Sequence, residues 1–580
     1  MKYYTNREIA KLFREIAAAY SVKGGNNFKI IAYNNAADSV ENAPGELKDL
    51  WEDGKLDSVA GLGKSIKSHL DELFKTGKVK HFQSIKKDLP EAMFDLLNFT
   101  GMGPKIAYKL SKALKLKNAR DLEKAAKEGK IRTLPGFGEK SEKEILKSIE
   151  EYRAKNQRYN LPLAFSAAQR IINHMKKLDA CEKVEPLGSL RRMVATIGDV
   201  DIAVASNEPK KVIKHFNSFR EIARIITAGS VSSSVVLKNG MRIDLKIQPP
   251  EAFGALLQHF TGSKYHNIAL REYSLKLGKS LSEYGIKYKG KLHKFSNEED
   301  FYKFLNLNYI EPELRENTGE IEAAQKHNLP KLINPNDIRG DLHIHSSYPI
   351  EPSHDLGKDT FLDIAKKAKE LKYEYFGLSD HSPGASTHTK SQITSLIKKR
   401  TQKIEQLNNS SGNIRALNLL EIDILTSGEL SVPQEALNLL DFAIAGIHSG
   451  HSENKDKITK RLMTAIHNPK VKVISHPTGR IIGERNPYEA DWEAVFKECA
   501  RTKTCLEINS WALRLDLPDT LIRQAKQFGV KFVINSDAHA ISHMENLQFG
   551  VSVARRGWCT KEDIVNTRPY VEFARHFELS

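Results

Sequence analysis

The sequence predicts a multidomain chain of mixed α+β and α/β class, with helical N-terminal domains, a middle region built on an antiparallel or mixed sheet, and a distorted C-terminal βα barrel. Three observations predict this. A Gly-x-Gly tripeptide occurs three times before residue 150, and a helix-like segment with lysines follows each copy. Strand-like runs dominate from about 153 to 250. From 338 onward, apolar runs that end in His, Asp or Glu alternate with helical segments, as in βα barrels.

Composition narrows the classes of partner. The chain has 580 residues, enough for about three to five domains, and its 40% hydrophobic content suffices for packed cores. A net charge of +17 predicts a polyanionic partner, usually nucleic acid. Because the sequence has no apolar run of about 18 residues, we expect no membrane partner. The absence of CxxC pairs and of an apolar leader segment in residues 1–6 predicts a cytoplasmic location.

Residues 1–88 are predicted to form short amphipathic helices, since Ile9, Leu12, Phe13 and Ile16 recur at helical spacing. The glycine pairs are typical of the helix-hairpin-helix motif. Glycine permits a tight turn, and backbone N–H groups at the start of the next helix can bind a phosphate irrespective of base sequence. The glycines predicted to bind DNA are Gly61, Gly63, Gly101, Gly103, Gly136 and Gly138.

Two other interpretations of these glycine pairs stay open. A Gly-x-Gly sequence also ends ordinary helices. Residues 101–150 contain 13 Lys and Arg against 7 Asp and Glu, which would also suit a basic helical face that is merely solvated. Three copies in a lysine-rich region favour DNA binding.

The most informative stretch combines Gly-Ser-Leu-Arg-Arg at 188–192 with Gly-Asp-Val-Asp at 198–201. Asp199 and Asp201 stand at the edge of an apolar, β-branched run, and residues i and i+2 of a strand point to the same face. Asp244 lies on a second strand-like run, predicted over 235–247. Three converging carboxylates can hold two divalent ions roughly 3.5–4 Å apart, which suits phosphoryl or nucleotidyl transfer. The alternative is a surface strand with solvated aspartates.

These residues resemble the family X DNA polymerases, the family of DNA polymerase beta, over about residues 1–318. The Gly-Ser turn, the Asp-x-Asp pair and Arg242-Ile243-Asp244 correspond to the family's nucleotidyltransferase palm. Phe260-Thr261-Gly262-Ser263, followed by Asn267 and Arg271, is similar to its nucleotide-side motif.

The resemblance implies a role for each matching residue. Asp199, Asp201 and Asp244 would be catalytic and bind two Mg²⁺ or Mn²⁺ ions, with Asp244 also helping to deprotonate the primer 3′-hydroxyl. The nucleotide would contact Gly188, Ser189, Arg192, Gly198, Gly262 and Asn267. DNA would contact Lys29, Tyr33, Arg242 near the primer terminus and Arg271 on the template side.

Two positions depart from the family pattern. The family usually has tyrosine before Phe-Thr-Gly-Ser, where this chain has His259. Members with a 5′-deoxyribose phosphate lyase use a lysine at the position of His69, with Lys64 and Lys67 nearby in this chain. Because imidazole cannot form a Schiff base, we expect no efficient lyase activity.

The C-terminal region carries a second set of metal-type ligands. Most follow an apolar run, and histidine with carboxylate suits Zn²⁺, Mn²⁺ or Fe²⁺. Structural core histidines are the alternative, although an ordered series is hard to explain in that way. The residues are His343, His345, His381, Glu421, His448, His476, Asp537 and His539.

The order of these residues resembles the PHP domain, a distorted βα barrel with up to three metal ions, over about residues 338–580. The resemblance implies 3′–5′ exonuclease, apurinic-site endonuclease and 3′-phosphatase activity, with Asp380 in a supporting role. The family's Ser-Asp-Gly ligand segment is replaced by a longer stretch. Asp355 is the predicted ninth ligand, and His354 and Glu351 are the alternatives.

The predicted function is a template-directed DNA polymerase that fills short gaps and trims 3′ ends, acting as a monomer on gapped or primer-template DNA with dNTPs. The alternatives are a phosphoesterase with an inactive palm, a DNA-end scaffold, and nucleotidyl transfer to another acceptor. The predicted domains are 1–88 (DNA end), 89–152 (hairpins), 153–250 (palm), 251–318 (nucleotide and template side), 319–337 (linker) and 338–580 (PHP).

Overall fold

The computed structural model describes residues 4, 6–41, 47, 51, 56–59, 61–99, 101–410 and 414–579. The chain forms two compact units, residues 1–157 and residues 158–580. The prediction that no leader segment is present concerns residues 1–6, most of which lie outside the described residues. No described helix has the length and apolar character needed to cross a membrane.

The first unit is helical over its described residues, as the apolar spacing predicts. One cluster buries Phe13, Ile16 and Leu70, and a second buries Met93 and Leu110. A 3₁₀ turn covers Leu56–Ser58. The α-helices are Asn6–Val22, Asn27–Glu41, Lys64–Thr76, Lys80–Lys86, Ala92–Leu96, Pro104–Ala113, Ala119–Lys127 and Glu139–Asn156.

Each Gly-x-Gly pair forms a turn that starts a helix. The first glycine is left-handed, with φ of 83° at Gly61, 78° at Gly101 and 82° at Gly136. Glycine adopts this conformation without the steric penalty of a side chain. The second glycine of each pair is the N-cap of the helix that follows. The turn-and-helix arrangement predicted for these segments is therefore confirmed.

The second unit begins with a mixed five-stranded sheet, as predicted for the palm. Its strand order is β2-β4-β7-β6-β5, and only the β4–β7 pair is parallel. Its strands are β2 Lys183–Pro186, β4 Val200–Ala205, β5 Ile222–Ala228, β6 Ser232–Leu237 and β7 Arg242–Gln248. The short strands β1 Tyr159–Asn160 and β3 Thr196–Ile197 pair with each other in a separate antiparallel sheet. The helices are Leu161–Met175, Gly188–Arg191 and Pro209–Phe216.

The prediction of one strand over 235–247 is wrong. The run is a hairpin in which β6 ends at Leu237 and β7 begins at Arg242. The reason is the Asn239-Gly240 pair, a typical hairpin turn sequence, with Gly240 at φ 86°. The hairpin sets β7 between β4 and β6, which brings Asp244 to the middle of the sheet.

The residues that follow the palm form a smaller region with its own sheet and hydrophobic core. A three-stranded antiparallel sheet packs with helices around Phe301, Tyr302 and Leu270. Its strands are β8 Lys279–Ser282, β9 Gly285–Tyr288 and β10 Lys291–His293. Its helices are Phe253–Thr261, Lys264–Lys276, Glu298–Phe304 and Glu320–Gln325, with 3₁₀ turns at Pro250–Ala252, Pro312–Leu314 and Pro335–Asp337.

The C-terminal region is a seven-stranded, all-parallel sheet in sequential order, β11 to β17. Ala538, just after β17, bridges Ile344 of β11, and the His345 amide donates to the Ala538 carbonyl at 2.8 Å, which closes the barrel. The strands are β11 Gly340–Ile344, β12 Tyr375–Leu378, β13 Arg415–Asp423, β14 Phe442–Gly446, β15 Val471–Ile474, β16 Cys505–Asn509 and β17 Phe532–Asn535.

Helices surround these strands, so the predicted βα barrel is confirmed. Parallel strands buried on both faces explain the continuous apolar runs in the sequence. The helices are Phe361–Glu370, Lys390–Ser410, Gln434–Leu437, Lys455–Ile466, Trp492–Thr502, Asp519–Gln527, Leu547–Arg556 and Tyr570–Phe577, with 3₁₀ turns at Ile541–Asn546, Lys561–Asp563 and Val565–Thr567.

Candidate active sites

The palm strands bring two of the predicted carboxylates side by side. Asp201 and Asp244 are direct partners in the parallel β4–β7 register, and Asp199 stands two residues before Asp201. Gly188, at φ 60°, lies so close that a Cβ on it would stand 2.9 Å from Asp201 Oδ2. The Leu187 amide donates to the Asp201 carbonyl at 2.8 Å, which ties the Gly-Ser turn to the carboxylates.

The electrostatics of Asp201 indicate a site that attracts cations. Burial, together with the charges of Asp199 and Asp244, raises the pKa of Asp201 to about 7, although Lys246 and Arg242 oppose the shift. A shift of this kind marks neighbouring carboxylates that repel one another in a partly dry environment. Divalent cations would relieve that repulsion.

Asp244 is held by two neighbours. Ser234, its partner on antiparallel β6, donates its hydroxyl to Asp244 Oδ1. Arg242, on the same strand, donates to that oxygen through Nε at 3.2 Å and Nη2 at 3.1 Å. Arg242, which the resemblance places near the primer terminus, is paired with a carboxylate in this structure. Ser234 was not predicted from the sequence, because only the pairing of β6 with β7 places it opposite Asp244.

The palm carboxylates are not drawn into one compact cluster. Among the residues that the structure describes, the sets of metal-type ligand atoms lying within 4.8 Å of one another all belong to the barrel. Asp199 is exposed, and Asp244 is turned toward Arg242 and Ser234. The palm site is therefore more open than the barrel site.

Both arginines of the Gly-Ser-Leu-Arg-Arg turn donate hydrogen bonds to Thr261 of the Phe-Thr-Gly-Ser motif. Arg191 Nη1 donates to the Thr261 hydroxyl at 2.7 Å, and Arg192 Nη1 donates to the Thr261 carbonyl. Arg191 Nη2 also donates to Glu298 at 2.6 Å, and Arg192 Nε donates to Glu316 at 3.0 Å. The two sequence motifs are thus joined by hydrogen bonds.

The other predicted nucleotide-side residues flank this junction. Gly262 has φ 66°, and a Cβ there would stand 3.3 Å from Arg192 Nη1. Asn267 accepts from Gln258 at 2.9 Å and donates to the His259 carbonyl at 2.7 Å. Burial and the nearby Arg271 lower the pKa of His259, so its imidazole is neutral near pH 7.

Ser189 and Gly198 lie in short segments next to the palm carboxylates. Ser189 lies in the short helix Gly188–Arg191, and its carbonyl accepts from the Val194 amide at 3.0 Å. Gly198 precedes Asp199, and a Cβ on it would lie 3.5 Å from Arg158 Nη1. Both positions border the edge of β4 where the aspartates lie.

In the barrel, five imidazoles surround one buried carboxylate, Glu421, at the carboxyl ends of the strands. Ser475 also donates to Glu421 Oε1 at 2.8 Å. The distances from Glu421 oxygens to the nearest imidazole nitrogens are 3.1 Å for His343, 3.6 Å for His345, 3.2 Å for His381, 3.2 Å for His448 and 2.7 Å for His476.

Asp537 and His539 complete this cluster from the end of β17. Asp537 Oδ1 lies 3.3 Å from His345 Nε2 and 3.6 Å from His343 Nε2. The His345 and His539 rings are stacked with centroids 4.0 Å apart. The structure thus brings all eight predicted barrel residues into one site.

Asp355, the predicted ninth ligand, also lies beside the cluster. Asp355 Oδ2 lies 3.4 Å from His539 Nε2, and Asp355 Oδ1 lies 3.6 Å from His381 Nε2. The neighbouring His381 and His539 imidazoles hold the pKa of Asp355 below its usual range. Of the alternatives, Glu351 contacts His388 at 2.8 Å, outside the cluster. His354 lies at the rim, 3.2 Å from Asp423 Oδ1.

Several supporting residues were not predicted from the sequence. Glu507 accepts from His343 Nδ1 at 2.7 Å and from the His476 amide at 2.7 Å. Asp423 Oδ1 lies 2.7 Å from His448 Nδ1. Carboxylates of this kind orient metal-binding imidazoles. Asp380, predicted to support the site, accepts from the Ser346 hydroxyl at 2.8 Å and from Arg400 Nε at 2.8 Å, so it holds the loop after His345.

The barrel donor set fits divalent metals. Buried imidazole nitrogens without a hydrogen-bond partner among the described residues include His343 Nε2, His345 Nε2, His381 Nδ1 and His539 Nε2. Burying an unpaired polar atom costs about 1–3 kcal/mol, so several together indicate a missing partner. Compact triplets occur at His345, His381 and His539, and at His343, His345 and Asp537.

A cavity of about 340 Å³ opens beside the cluster. Its wall carries Arg485, Arg514, His451 and Trp511. Arg514 Nη1 is buried without a partner among the described residues, and its Nε lies 3.6 Å from Asp537 Oδ2. Burial and Arg485 lower the pKa of His451 to about 4, which leaves it neutral. The two arginines of this wall suit an anion, and Trp511 suits an aromatic group next to that anion.

In the first unit, two of the three glycine turns predicted to bind DNA border the same cavity. Gly101 and Gly136 line one cavity of about 540 Å³ together with Lys105 and Lys109. The second and third glycine turns therefore face the same basic groove.

The predicted DNA-end residues lie around a pair of histidines. Tyr33 Oη lies 3.0 Å from His69 Nδ1, and the His69 ring stacks on His81 with centroids 4.9 Å apart. Lys29 Nζ lies 5.2 Å from the ring centre of Tyr20. Burial, with His81 nearby, lowers the pKa of His69, so its imidazole is neutral near pH 7.

Comparisons with known proteins agree with this geometry. Residues 4–79 match a helix-hairpin-helix domain, residues 94–151 a SAM-like helix-hairpin-helix tandem, and residues 256–316 the DNA polymerase beta thumb. DNA polymerase/3′-5′ exonuclease PolX of Bacillus subtilis (strain 168) is 33% identical over 566 residues, 97% of each chain. The chain belongs to the PolX group of family X DNA polymerases. The resemblance drawn from the palm motifs is confirmed.

The C-terminal barrel region also has relatives of its own. A probable phosphatase of Thermoanaerobacter sp. (strain X514) is 26% identical over 237 residues, which are 39% of this chain and 89% of that protein. A probable phosphatase of Clostridium acetobutylicum is 28% identical over 209 residues, 34% of this chain and 78% of that protein. The C-terminal region of this chain is thus similar to most of the length of these probable phosphatases.

Proposed function

We propose that this family X polymerase fills short gaps in DNA by template-directed nucleotidyl transfer in the palm, and trims or unblocks 3′ ends in the barrel. The observation that carries the proposal is the in-register pair Asp201 and Asp244 beside the Gly188 turn. The barrel cluster around Glu421 forms a second site with a different donor set. Carboxylates alone suit Mg²⁺ or Mn²⁺, whereas imidazoles with carboxylates suit Zn²⁺, Mn²⁺ or Fe²⁺.

In the palm, Asp199, Asp201 and Asp244 would hold two Mg²⁺ or Mn²⁺ ions. When bound, such ions activate the attacking oxygen and neutralise the leaving phosphates. The primer 3′-hydroxyl oxygen attacks the α-phosphorus of the dNTP, pyrophosphate leaves, and Asp244 takes the hydroxyl proton. Ser234 keeps the Asp244 carboxylate oriented, and Arg242 would turn from Asp244 to the primer terminus.

The junction of the two palm motifs would bind the nucleotide. Arg192 would exchange Glu316 for an oxygen of the triphosphate, since a guanidinium has the fork geometry for phosphate. Arg191 would keep Thr261 in place through its bonds to Thr261 and Glu298. Arg271 would lie on the template side. Gly188, Ser189, Gly198, Gly262 and Asn267 would border the bound nucleotide.

In the barrel, the eight clustered residues and Asp355 would hold up to three metal ions, which when bound make water a nucleophile at neutral pH. The oxygen attacks the terminal phosphorus, and the bond from phosphorus to the leaving oxygen breaks. Arg485 and Arg514 would neutralise phosphates of the DNA strand, and Trp511 would contact the terminal base.

The first unit would bind the DNA backbone through its three glycine turns and the DNA end through Lys29 and Tyr33. Efficient lyase activity is not proposed, since His69 offers imidazole rather than an amine. The domain boundaries, the monomeric state and the cytoplasmic location stay predictions.

A single assay tests the proposal. The purified chain is incubated with a 5′-labelled primer in a one-nucleotide gap, with Mg²⁺ or Mn²⁺, with and without dNTPs. We expect extension by the one nucleotide that the template specifies, and shortening when dNTPs are omitted. Shortening alone would overturn the polymerase part, and extension alone would overturn the barrel part.

A further inference from the structure

One arginine of the barrel reaches the candidate nucleotide site of the palm. Arg556 ends the helix Leu547–Arg556, and its side chain is 10% exposed. Its Nη1 donates to the backbone carbonyl of Arg192 at 2.9 Å and lies 3.0 Å from Glu316 Oε1. Its Nη2 lies 2.7 Å from Asp519 Oδ2. Palm and barrel therefore meet in one ion-pair cluster.

Glu316 is shared between the two parts. Its Oε1 accepts from Arg192 Nε at 3.0 Å as well as from Arg556 Nη1 at 3.0 Å. Two guanidinium groups thus hold one carboxylate oxygen, and the Arg192 side chain is only 13% exposed. In the proposed function, Arg192 exchanges its bond to Glu316 for a bond to a phosphate oxygen when the triphosphate binds.

Arg556 makes that exchange easier. A partly buried carboxylate that loses its partner is destabilised, because it forfeits solvation without compensation. Arg556 remains on Glu316 when Arg192 leaves, and Asp519 keeps Arg556 in place. The bond from Arg556 to the Arg192 carbonyl meanwhile fixes the turn that carries Arg192.

We propose that Arg556 is a positioning residue of the polymerase reaction, through which the barrel holds Glu316 and the 188–192 turn so that Arg192 is free to bind the triphosphate. The inference rests on the proposed function, in which Arg192 binds that triphosphate. Arg556 itself touches no nucleotide. The barrel is then part of the machinery for nucleotide binding as well as a separate enzyme.

The test is single-nucleotide insertion into a one-nucleotide gap, with KM for the dNTP and kcat measured separately. Arg556→Gln should raise KM about 5- to 20-fold with kcat within about twofold, since Arg192 is then retained by an otherwise unpaired Glu316. Arg556→Gln combined with Glu316→Gln should return KM to within about threefold of wild type, because the competing charge is gone. A merely structural role predicts a double variant no better than the single one.

Arg523→Gln is the matched control. Arg523 also joins the barrel to this segment, donating to the Thr318 carbonyl at 2.9 Å and lying over the Trp558 ring, away from Arg192 and Glu316. Arg523→Gln should leave KM for the dNTP unchanged. The Arg523→Gln and Arg556→Gln proteins should shorten single-stranded DNA from its 3′ end at equal rates. An unchanged KM in Arg556→Gln, or an equal rise in Arg523→Gln, would overturn the inference.

Arg192→Ala separates this inference from the proposed function. If Arg192→Ala leaves KM unchanged, the proposed role of Arg192 is wrong and the inference fails with it. If Arg192→Ala raises KM while Arg556→Gln does not, only the inference is wrong. Should Arg556→Gln not fold, Arg556→Met replaces it, because methionine keeps the apolar stem but also removes the positive charge that pairs with Glu316, and the same rise in KM is expected.

Discussion

Ser234 lies directly opposite Asp244 on the neighbouring antiparallel strand and donates its hydroxyl to the Asp244 carboxylate. The same oxygen also accepts from Arg242. The Ser234 hydroxyl and the Arg242 guanidinium therefore share one oxygen of Asp244, and both contacts orient its carboxylate. Orientation of this carboxylate is a property of the hairpin rather than of Asp244 alone.

Ser234→Ala should lower kcat for gap filling by about tenfold, because Asp244 is then held by Arg242 alone and is less well oriented for proton removal. Ser232→Ala is the matched control, since Ser232 lies on the same strand, is exposed and pairs with Lys246. Single-turnover insertion kinetics measure the effect. Equal kcat values for the two variants would show that Ser234 does not orient Asp244.

The pKa of Asp201 predicts how stability depends on pH without metal. Burial, with Asp199 and Asp244 nearby, raises this pKa from 3.8 to about 7. The folded protein then binds the proton more tightly than the unfolded chain, so stability falls as pH rises from about 4 to about 7. In EDTA, Asp201→Asn should be more stable than wild type at pH 8, by about 1–3 kcal/mol after discounting for partial exposure.

Thermal unfolding at several pH values checks this prediction. The difference between Asp201→Asn and wild type should shrink as pH falls toward 5. Asp179→Asn, at an exposed position, should behave like wild type throughout. A difference that is constant with pH, or larger at low pH, would contradict the proposed repulsion among the three carboxylates.

The contacts of Asp355 predict that it holds metal and that Glu351 does not. Asp355 lies within 3.6 Å of His381 and His539, whereas Glu351 contacts His388. Asp355→Asn should reduce the metal bound per chain after dialysis, by about one ion, as measured by elemental analysis. Glu351→Gln should bind as much metal as wild type. The reverse order would transfer the ninth ligand to Glu351.

The basic wall of the barrel cavity predicts substrate selectivity. Arg485→Ala with Arg514→Ala should slow 3′ shortening of an oligonucleotide by about 10- to 100-fold, since charge-assisted bonds to DNA phosphates are lost. Hydrolysis of p-nitrophenyl phosphate, which has no neighbouring phosphate, should fall much less. Arg501→Ala, at a surface pair with Glu498, is the control. Equal losses on both substrates would place these arginines at the metal centre instead.

Local patterns explain why so much of the fold could be predicted. The strands β12, β14 and β15 are short, largely apolar runs, each followed within three residues by a histidine, so His381, His448 and His476 are marked by the sequence around them. The Gly-x-Gly turns are equally local, since φ and the helix start depend on neighbouring residues. Fold class and family were therefore within reach of the sequence.

Residues whose partners are distant in the chain carry no such signal. Glu507 is recognisable only once β16 sets it against His343, 164 positions away. Arg556 meets Arg192 across 364 positions. The hairpin at Asn239-Gly240 did have a local signal, which the apolar run over 235–247 outweighed. The pairing of Arg242 with Asp244 depends on Ser234 and the surrounding sheet.

The most direct measurement of the central claim compares two variants on one labelled gapped duplex. Asp199→Ala with Asp201→Ala should abolish template-directed dNTP addition and leave 3′ shortening unchanged, whereas His343→Ala should abolish shortening and leave addition unchanged. That reciprocal loss is what two separate metal sites predict. If either variant lost both activities in a folded, DNA-binding protein, the assignment of synthesis to the palm and trimming to the barrel would be contradicted.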